Sequence, residues 1–387
     1  MSGVWGLHRP MIYLFWGALA FLVYTLFGYP LLLWVLARFR KKEHRRAATW
    51  PKVSLIVVAH NEAKTIAGKV RNCLELEYPE GRREIIVASD GSNDGTADIV
   101  RSFAGNAVKL VEVQERRGKH YAQMVARDAS SGEILVFSDA GVRLEPKVLG
   151  RMVSNFADPQ VGCVSSEDVL VTGDKDERAE GSYVQLDALL RRWESRVSSL
   201  VSVSGSFFAA RREACRVWHP EQSSDFFVPL HTVAQGLRAV VDSECRGQYG
   251  QTASDKAELG RKVRTIAHGL DVLFKHLELL NPVRYGFFSL QLLSHKLFRW
   301  LIPFAALVLV ASNVFLWTSG QLYQLCLVGQ ATLYGLGILG LVIRPLQEFK
   351  LVKMATFFLM GNVATLMAWL SYCAGEKFIT WQPTQRD

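Results

Sequence analysis

What the sequence lacks narrows its function first. Six cysteines (Cys73, Cys163, Cys215, Cys245, Cys326, Cys373) form no CxxC pair and no metal-ligand spacing. That excludes a zinc module or a dithiol redox site, and reduced thiols are expected. In the central region, residues 38–300, no GxGxxG and no GxxxxGK[ST] occurs, so there is no dinucleotide fingerprint and no phosphate-binding loop of the usual NTPase kind. The +9 excess of base is not interleaved with aromatics in a groove-reading cluster, and no nucleic-acid partner is expected. Charge of either sign is missing from four long apolar runs, residues 11–37, 301–318, 322–343 and 354–374. Each reaches or nearly reaches the ~20 residues that cross a hydrocarbon core. Spans without an acid or base make poor ion or proton pathways, which argues against a transporter.

These runs set the expected organisation of the 387 residues. The run 11–37 is too long for the apolar core of a signal peptide, and no small-residue cleavage site follows it, so a retained anchor is expected. Base gathers just after it, at Arg38, Arg40, Lys41, Lys42, Arg45 and Arg46, and again at Arg261, Lys262 and Arg264. Loop solubility would account for such charge. So would the positive-inside rule, which places the central region in the cytoplasm together with Arg344, Lys350 and Lys353. The expected order is an N-terminal transmembrane helix (11–37), a cytoplasmic domain (50–255), amphipathic interface helices (256–300), three transmembrane helices (301–374) and a tail (375–387). Four crossings leave the C-terminus outside, and a first or second segment that only dips into the bilayer would change that count.

From Val53 the pattern alternates strand and helix. VSLIVVA (53–59) is a continuous apolar run suited to a strand buried on both faces. Further strands are expected at 83–89, 108–113 and 133–138, with helices over 62–76, from Thr96, and over 119–129. This rhythm predicts an α/β domain with a mostly parallel central sheet. Ligands of such sheets bind at the carboxyl ends of the strands. Three strands end there in polar residues: Ala59-His60-Asn61-Glu62, Ser89-Asp90-Gly91 and Ser138-Asp139-Ala140-Gly141. Helix capping by Asp94 or Thr96, and turns permitted by Gly91 and Gly95, offer a structural explanation for part of this polarity.

Taken in order, VSLIVVAHNEA (53–63), IIVASDGSNDGT (85–96), RRGKHYAQMVA (116–126) and ILVFSDAG (134–141) resemble a family 2 glycosyltransferase. Residues 180–213 and 223–244 continue the resemblance, which runs from residue 53 to about 270. The flanking spans suit the membrane-bound branch, and the chain resembles bacterial exopolysaccharide glycosyltransferases, related to the cellulose, chitin and hyaluronan synthases. The resemblance implies the GT-A fold, a UDP-sugar donor, and Mg²⁺ or Mn²⁺ as cofactor.

It also implies roles for single residues. Ala59, Asn61 and Glu62 would sit near the nucleotide, and Asp90 would accept a hydrogen bond from the uracil N–H. Gly118 and Lys119 open a helix, where backbone N–H groups and an ammonium can face phosphate; a solvated lysine in a basic run is the alternative. Asp139 matches the first acid of the DxD motif and would carry the metal. Gly141 stands in place of the second acid. Asp225 matches the catalytic base, with Ser224 in place of the acid before it; an N-cap of the following helix is the other reading. Arg261-Lys262-Val263-Arg264-Thr265 lies where processive relatives carry QxxRW. Arg264 would pair with diphosphate, while Arg261 and Thr265 replace the Gln and Trp, which puts processivity in doubt. Trp193 and Glu194, beside Arg191, would line the acceptor side, or be a core tryptophan among surface charges. Lys296-Leu297-Phe298-Arg299-Trp300 also ends in RW and reads as a membrane-edge anchor. The stripe Val263, Ile266, Leu270, Leu273, Leu277 and Leu280 suits a helix in the membrane interface or an ordinary core-facing one.

The leading expectation is an inverting glycosyltransferase of hexosyltransferase type in the inner membrane. It would build a β-linkage in a cell-envelope polysaccharide or its lipid-linked precursor. One rival transfers to a polyprenyl phosphate, whose ionised oxygen needs no base. Another is an inactive nucleotide-sugar sensor or assembly subunit, consistent with Gly141 and Ser224. Expected partners are the UDP-sugar, a polysaccharide or lipid-linked acceptor, membrane lipid, and a homodimer mate or another polysaccharide-assembly membrane protein.

Overall fold

The computed structural model describes residues 2–40, 42–105, 107–170, 178–249 and 255–376. Beyond Glu376, the expected tail lies outside the described residues. Ten strands are present among them: β1 Val53–Ala59, β2 Arg83–Asp90, β3 Val108–Val113, β4 Ile134–Asp139, β5 Arg143–Leu144, β6 Val161–Ser165, β7 Val169–Leu170, β8 Phe207–Arg211, β9 Arg238–Val241 and β10 Gly247–Tyr249. Seven form one sheet in the order β3-β2-β1-β4-β8-β6-β9, and β5-β10-β7 form a small second sheet. β1 to β4 are parallel. β8 runs antiparallel between β4 and β6.

All seven residues of β1 are buried. Its apolar side chains pack into two layers, Leu55 and Val57 on one face and Ile56 and Val58 on the other. Each such fully buried side chain contributes roughly 1.5–3 kcal/mol. The expected strands at 83–89 and 133–138 run one residue further, so Asp90 and Asp139 are the last residues of β2 and β4. The helix expected over 62–76 is shorter, Ile66–Leu74. Asn61 adopts φ 52°, and the Glu62 carbonyl accepts the N–H groups of Thr65 and Ile66, so the chain turns before it coils.

Among the described residues, four helices are long and apolar enough to cross a membrane: His8–Phe39, Phe287–Phe315, Gln321–Val342 and Lys350–Cys373. The second starts well before the expected residue 301, because 287–315 forms one continuous helix with a π-turn at Leu293–Phe298. A matching π-turn interrupts the first helix at Tyr24–Gly28. The two face each other, with Tyr24 Oη 2.8 Å from Ser294 Oγ. Trp300 lies inside this continuous helix. Its ring fills the space beside Gly269, where a β-carbon would meet it at 2.7 Å, and its carbonyl accepts Trp369 Nε1–H. The expected interface helix is Asp255–Lys275. Protein covers most of its stripe: Val263 and Ala267 pack on Ala364 and Ala368, and Leu273 joins the core of the α/β domain. This agrees with the core-facing alternative.

Candidate active site

The in-register parallel strands bring the polar strand ends to one edge. Ala59 pairs with Ser89 across β1 and β2, and Val58 with Asp139 across β1 and β4. The Ala59 methyl lies in the core, so this residue offers only backbone at the edge. Asn61 Oδ1 accepts the Asn93 N–H at 2.9 Å, and the Glu62 N–H donates to Thr96 Oγ1 at 2.9 Å. Asp94 accepts the N–H groups of Ala63 and Thr96, while Gly95 is the N-cap of the helix Thr96–Arg101. These bonds fasten the loops after β1 and β2 to one another.

Asp90 is fully buried. Oδ1 accepts the Arg117 N–H and Oδ2 the Gly118 N–H, both at 2.8 Å. A carboxylate offers about four lone-pair sites, so a base N–H would have to share an oxygen with these amides. In the structure Asp90 holds the loop that delivers Lys119. Gly91 makes that possible: at φ 58° a β-carbon would fall 2.5 Å from the Arg116 nitrogen, a position only glycine fits.

Lys119 opens the helix Lys119–Asp128 and is the hub of the edge. Its Nζ lies 2.5 Å from Asp139 Oδ1 and donates to the Gly205 carbonyl at 3.0 Å. Asp225 packs on the same glycine, where a β-carbon would be 3.1 Å from Asp225 Oδ2. Lys119, Asp139 and Asp225 thus meet around one tripeptide, Ser204-Gly205-Ser206. Asp225 sits in the first turn of Ser224–Ala234, whose N-cap is Ser223, so the N-cap reading of Asp225 is corrected. Ser223 Oγ donates to its Oδ1. The neighbouring His120 imidazole is pushed down to about 3 by burial and by Lys119 and His268, which keeps it neutral. Its Nδ1 lies 3.3 Å from the Ser224 nitrogen.

Other expected residues lie elsewhere. Arg261 pairs with Glu258 on its own helix. Arg264 makes no ion pair among the described residues; burial and the like charge of Arg261 hold its guanidinium below the ordinary value. Glu194 is fully buried and does not line an open cleft. Its Oε1 accepts Tyr29 Oη–H from the first span and lies 2.6 Å from His295 Nδ1 of the second, while Oε2 is buried without a partner. Asp187, one face away, pairs with Arg299 at 3.3 Å. Burial opposes its charge, but the His295 hydrogen bond with Arg299 and Arg191 holds the Asp187 carboxyl well below the usual range. Trp193 packs beside Tyr29 and Leu33, as the core-tryptophan alternative expects. This group joins the α/β domain to two membrane-length helices.

Three residues were given no role of their own from the sequence. Asp168 accepts hydrogen bonds from Ser166, Ser204 and Ser206, so it pins the tripeptide that carries Gly205. Arg116 buries Nε and Nη2 without partners beside the Asp90 loop. Lys69 is buried, donating to Ser138 Oγ at 2.7 Å and to the Val142 carbonyl at 2.6 Å; burial pushes its ammonium below the ordinary value. Only Lys69 left a signal: it occupies a core position in the stripe Ile66, Lys69, Val70, Cys73.

Asp139 is the carboxylate at the motif position for a divalent ion, and no group of three or more His, Cys, Asp or Glu among the described residues is arranged to hold a metal. One carboxylate supplemented by substrate phosphates and water is a common Mg²⁺ donor set. The residues present therefore fit a cation that arrives on a diphosphate.

The description "Glycosyl transferase family 2" matches residues 54–218. A β-monoglucosyldiacylglycerol synthase of Trichormus variabilis is 28% identical over 58% of this chain and 49% of its own length. A poly-β-1,6-N-acetyl-D-glucosamine synthase of Staphylococcus epidermidis is 27% identical over 46% of this chain and 42% of its own. The chain thus spans about half the length of the curated relatives it matches. A mannosyltransferase from Pyrobaculum calidifontis, solved in complex with GDP-Man and Mn²⁺, shares the fold with a TM-score of 0.71. That likeness covers 94% of this chain and 99% of the other, at 24% identity. With a mostly parallel sheet, its polar edge, and this match over most of the strands that build them, the chain carries a GT-A-fold domain whose residues 54–218 match glycosyl transferase family 2.

Proposed function

We propose that the protein is an inverting glycosyltransferase that uses a UDP-sugar to form a β-glycosidic bond at the inner membrane, with the α/β domain on the cytoplasmic side. The observation that carries this reading is the meeting of Lys119, Asp139 and Asp225 around Gly205. Lys119 and the unpartnered Arg116 donors supply positive charge for a diphosphate. Asp225 takes the proton of the acceptor hydroxyl. The acceptor oxygen then forms its bond to the anomeric carbon as the bond to the diphosphate oxygen breaks, and the diphosphate leaves with the electron pair. One displacement inverts the configuration. Mg²⁺ or Mn²⁺ on Asp139, when bound with the donor, would neutralise the diphosphate. Arg264 would add a cation if the helix Asp255–Lys275 approaches the donor. The glycolipid and polysaccharide products named for the two relatives support a lipid or polysaccharide acceptor.

The test is UDP release by the full chain in membranes, screened over UDP-glucose, UDP-N-acetylglucosamine, UDP-galactose and UDP-glucuronate, with GDP-mannose for comparison. Release from one UDP-sugar with a β-linked product is expected. UDP binding without release from any donor would instead identify a sensor.

A further inference from the structure

We propose that the protein holds the phosphate of an anionic lipid headgroup in a cavity between its first and second membrane-length helices. The cavity is about 550 Å³ and is lined by Arg40, Lys42, Val197, Ser198, Tyr285 and Phe287, with no acid in its lining. Its level is set by the helices: His8–Phe39 ends one residue before Arg40, and Phe287–Phe315 begins at Phe287. The mouth therefore lies where the hydrocarbon gives way to headgroups, with Val197 and Phe287 offering apolar wall and Arg40 and Lys42 offering charge.

The surrounding backbone strengthens the positive field. The N-terminus of Phe287–Phe315 forms one wall and contributes the positive end of its dipole. The opposite wall is the C-terminal end of Arg178–Val197, which would ordinarily be negative. Its carbonyls are already taken: Arg238 donates to Ser195 and Ser198, and the Lys42 N–H donates to Arg196. Arg238 is itself buried and also donates to the Lys42 carbonyl. Burial and this third cation push the Lys42 ammonium below its ordinary value. With Arg238 adding positive field from behind, two cations, Arg40 and Lys42, line a cavity whose lining carries no counter-charge. A phosphate satisfies them, and at this level a lipid is the source.

The full chain, purified in detergent, is titrated with phosphatidylglycerol, phosphatidylcholine or inorganic phosphate, and binding is read by native mass spectrometry and thermal shift. Phosphatidylglycerol is expected to bind and stabilise. In the Arg40→Ser/Lys42→Ser double variant its apparent affinity should fall roughly 30-fold, taking each interfacial cation at its usual weight. Arg45→Ser/Lys350→Ser removes equal charge outside the cavity and should leave the affinity unchanged. Equal losses in both double variants, no loss in either, or equal stabilisation by inorganic phosphate alone would each overturn the proposal. If the first double variant does not purify, Lys42→Ser alone should weaken binding roughly fivefold. No nucleotide sugar enters the assay, so the outcome is independent of the transfer reaction.

Discussion

Asp225→Asn isolates the proton-accepting step. Asparagine keeps the shape of the side chain and its place in the first turn of Ser224–Ala234. Its amide oxygen can still accept from Ser223 Oγ, and the contact with Gly205 needs no rearrangement. Folding then loses only a negative charge near a helix N-terminus, about 0.3–1 kcal/mol. The reaction loses its general base, which is worth about 10²–10⁴ in rate, or roughly 2.7–5.5 kcal/mol of barrier. UDP release under saturating donor and acceptor should therefore fall at least about a hundredfold. UDP affinity, measured by calorimetry without acceptor, should stay within about twofold, since only a transition-state contact is removed. Retention of more than roughly a tenth of the activity would refute the assignment of Asp225 as base. That outcome is expected for an acceptor that is already ionised, such as a polyprenyl phosphate.

Three further predictions concern the walls of the site. Lys119→Met removes the ammonium shared by Asp139 and the Gly205 carbonyl; kcat/KM for the donor should fall about 10²–10³-fold, with the far-ultraviolet circular dichroism unchanged. Gly91→Ala puts a β-carbon 2.5 Å from the Arg116 nitrogen at φ 58°, and thermal melts should show a loss of about 1–3 kcal/mol. His120 titrates near 3 in the fold, against its ordinary 6.5. As pH falls between these values the unfolded chain takes up a proton that the folded chain refuses, so stability declines, by at most about 1.4 kcal/mol per pH unit. His120→Asn should flatten that part of the Tm-against-pH curve, and an unchanged slope would count against the burial argument.

Much of the fold was legible because it rests on local contrasts. The apolar run from Val53 to Ala59 suits a strand buried on both faces, and it is one. The charge-free runs marked the membrane-length helices, although the second extends back through a π-turn that no hydropathy pattern announces. The site was legible in its acids but not in their partners. Asp90, expected to meet a base, also holds the backbone of the Lys119 loop. Glu194, expected at the acceptor, is buried between the domain and two long helices.

By itself the sequence determined the alternation of strand and helix, the acids at the strand ends and the apolar segments, since periodicity and hydropathy are properties of neighbours in the chain. Only the tertiary structure decided which charge meets which. Lys119 reaches a carbonyl 86 residues away, and it does so because β8 inserts antiparallel beside β4 and carries Ser204-Gly205-Ser206 to the same edge. Asp168, Arg116 and Lys69 acquired their places in the same way. Their surroundings are set by strand order and burial, which no stretch of neighbouring residues contains.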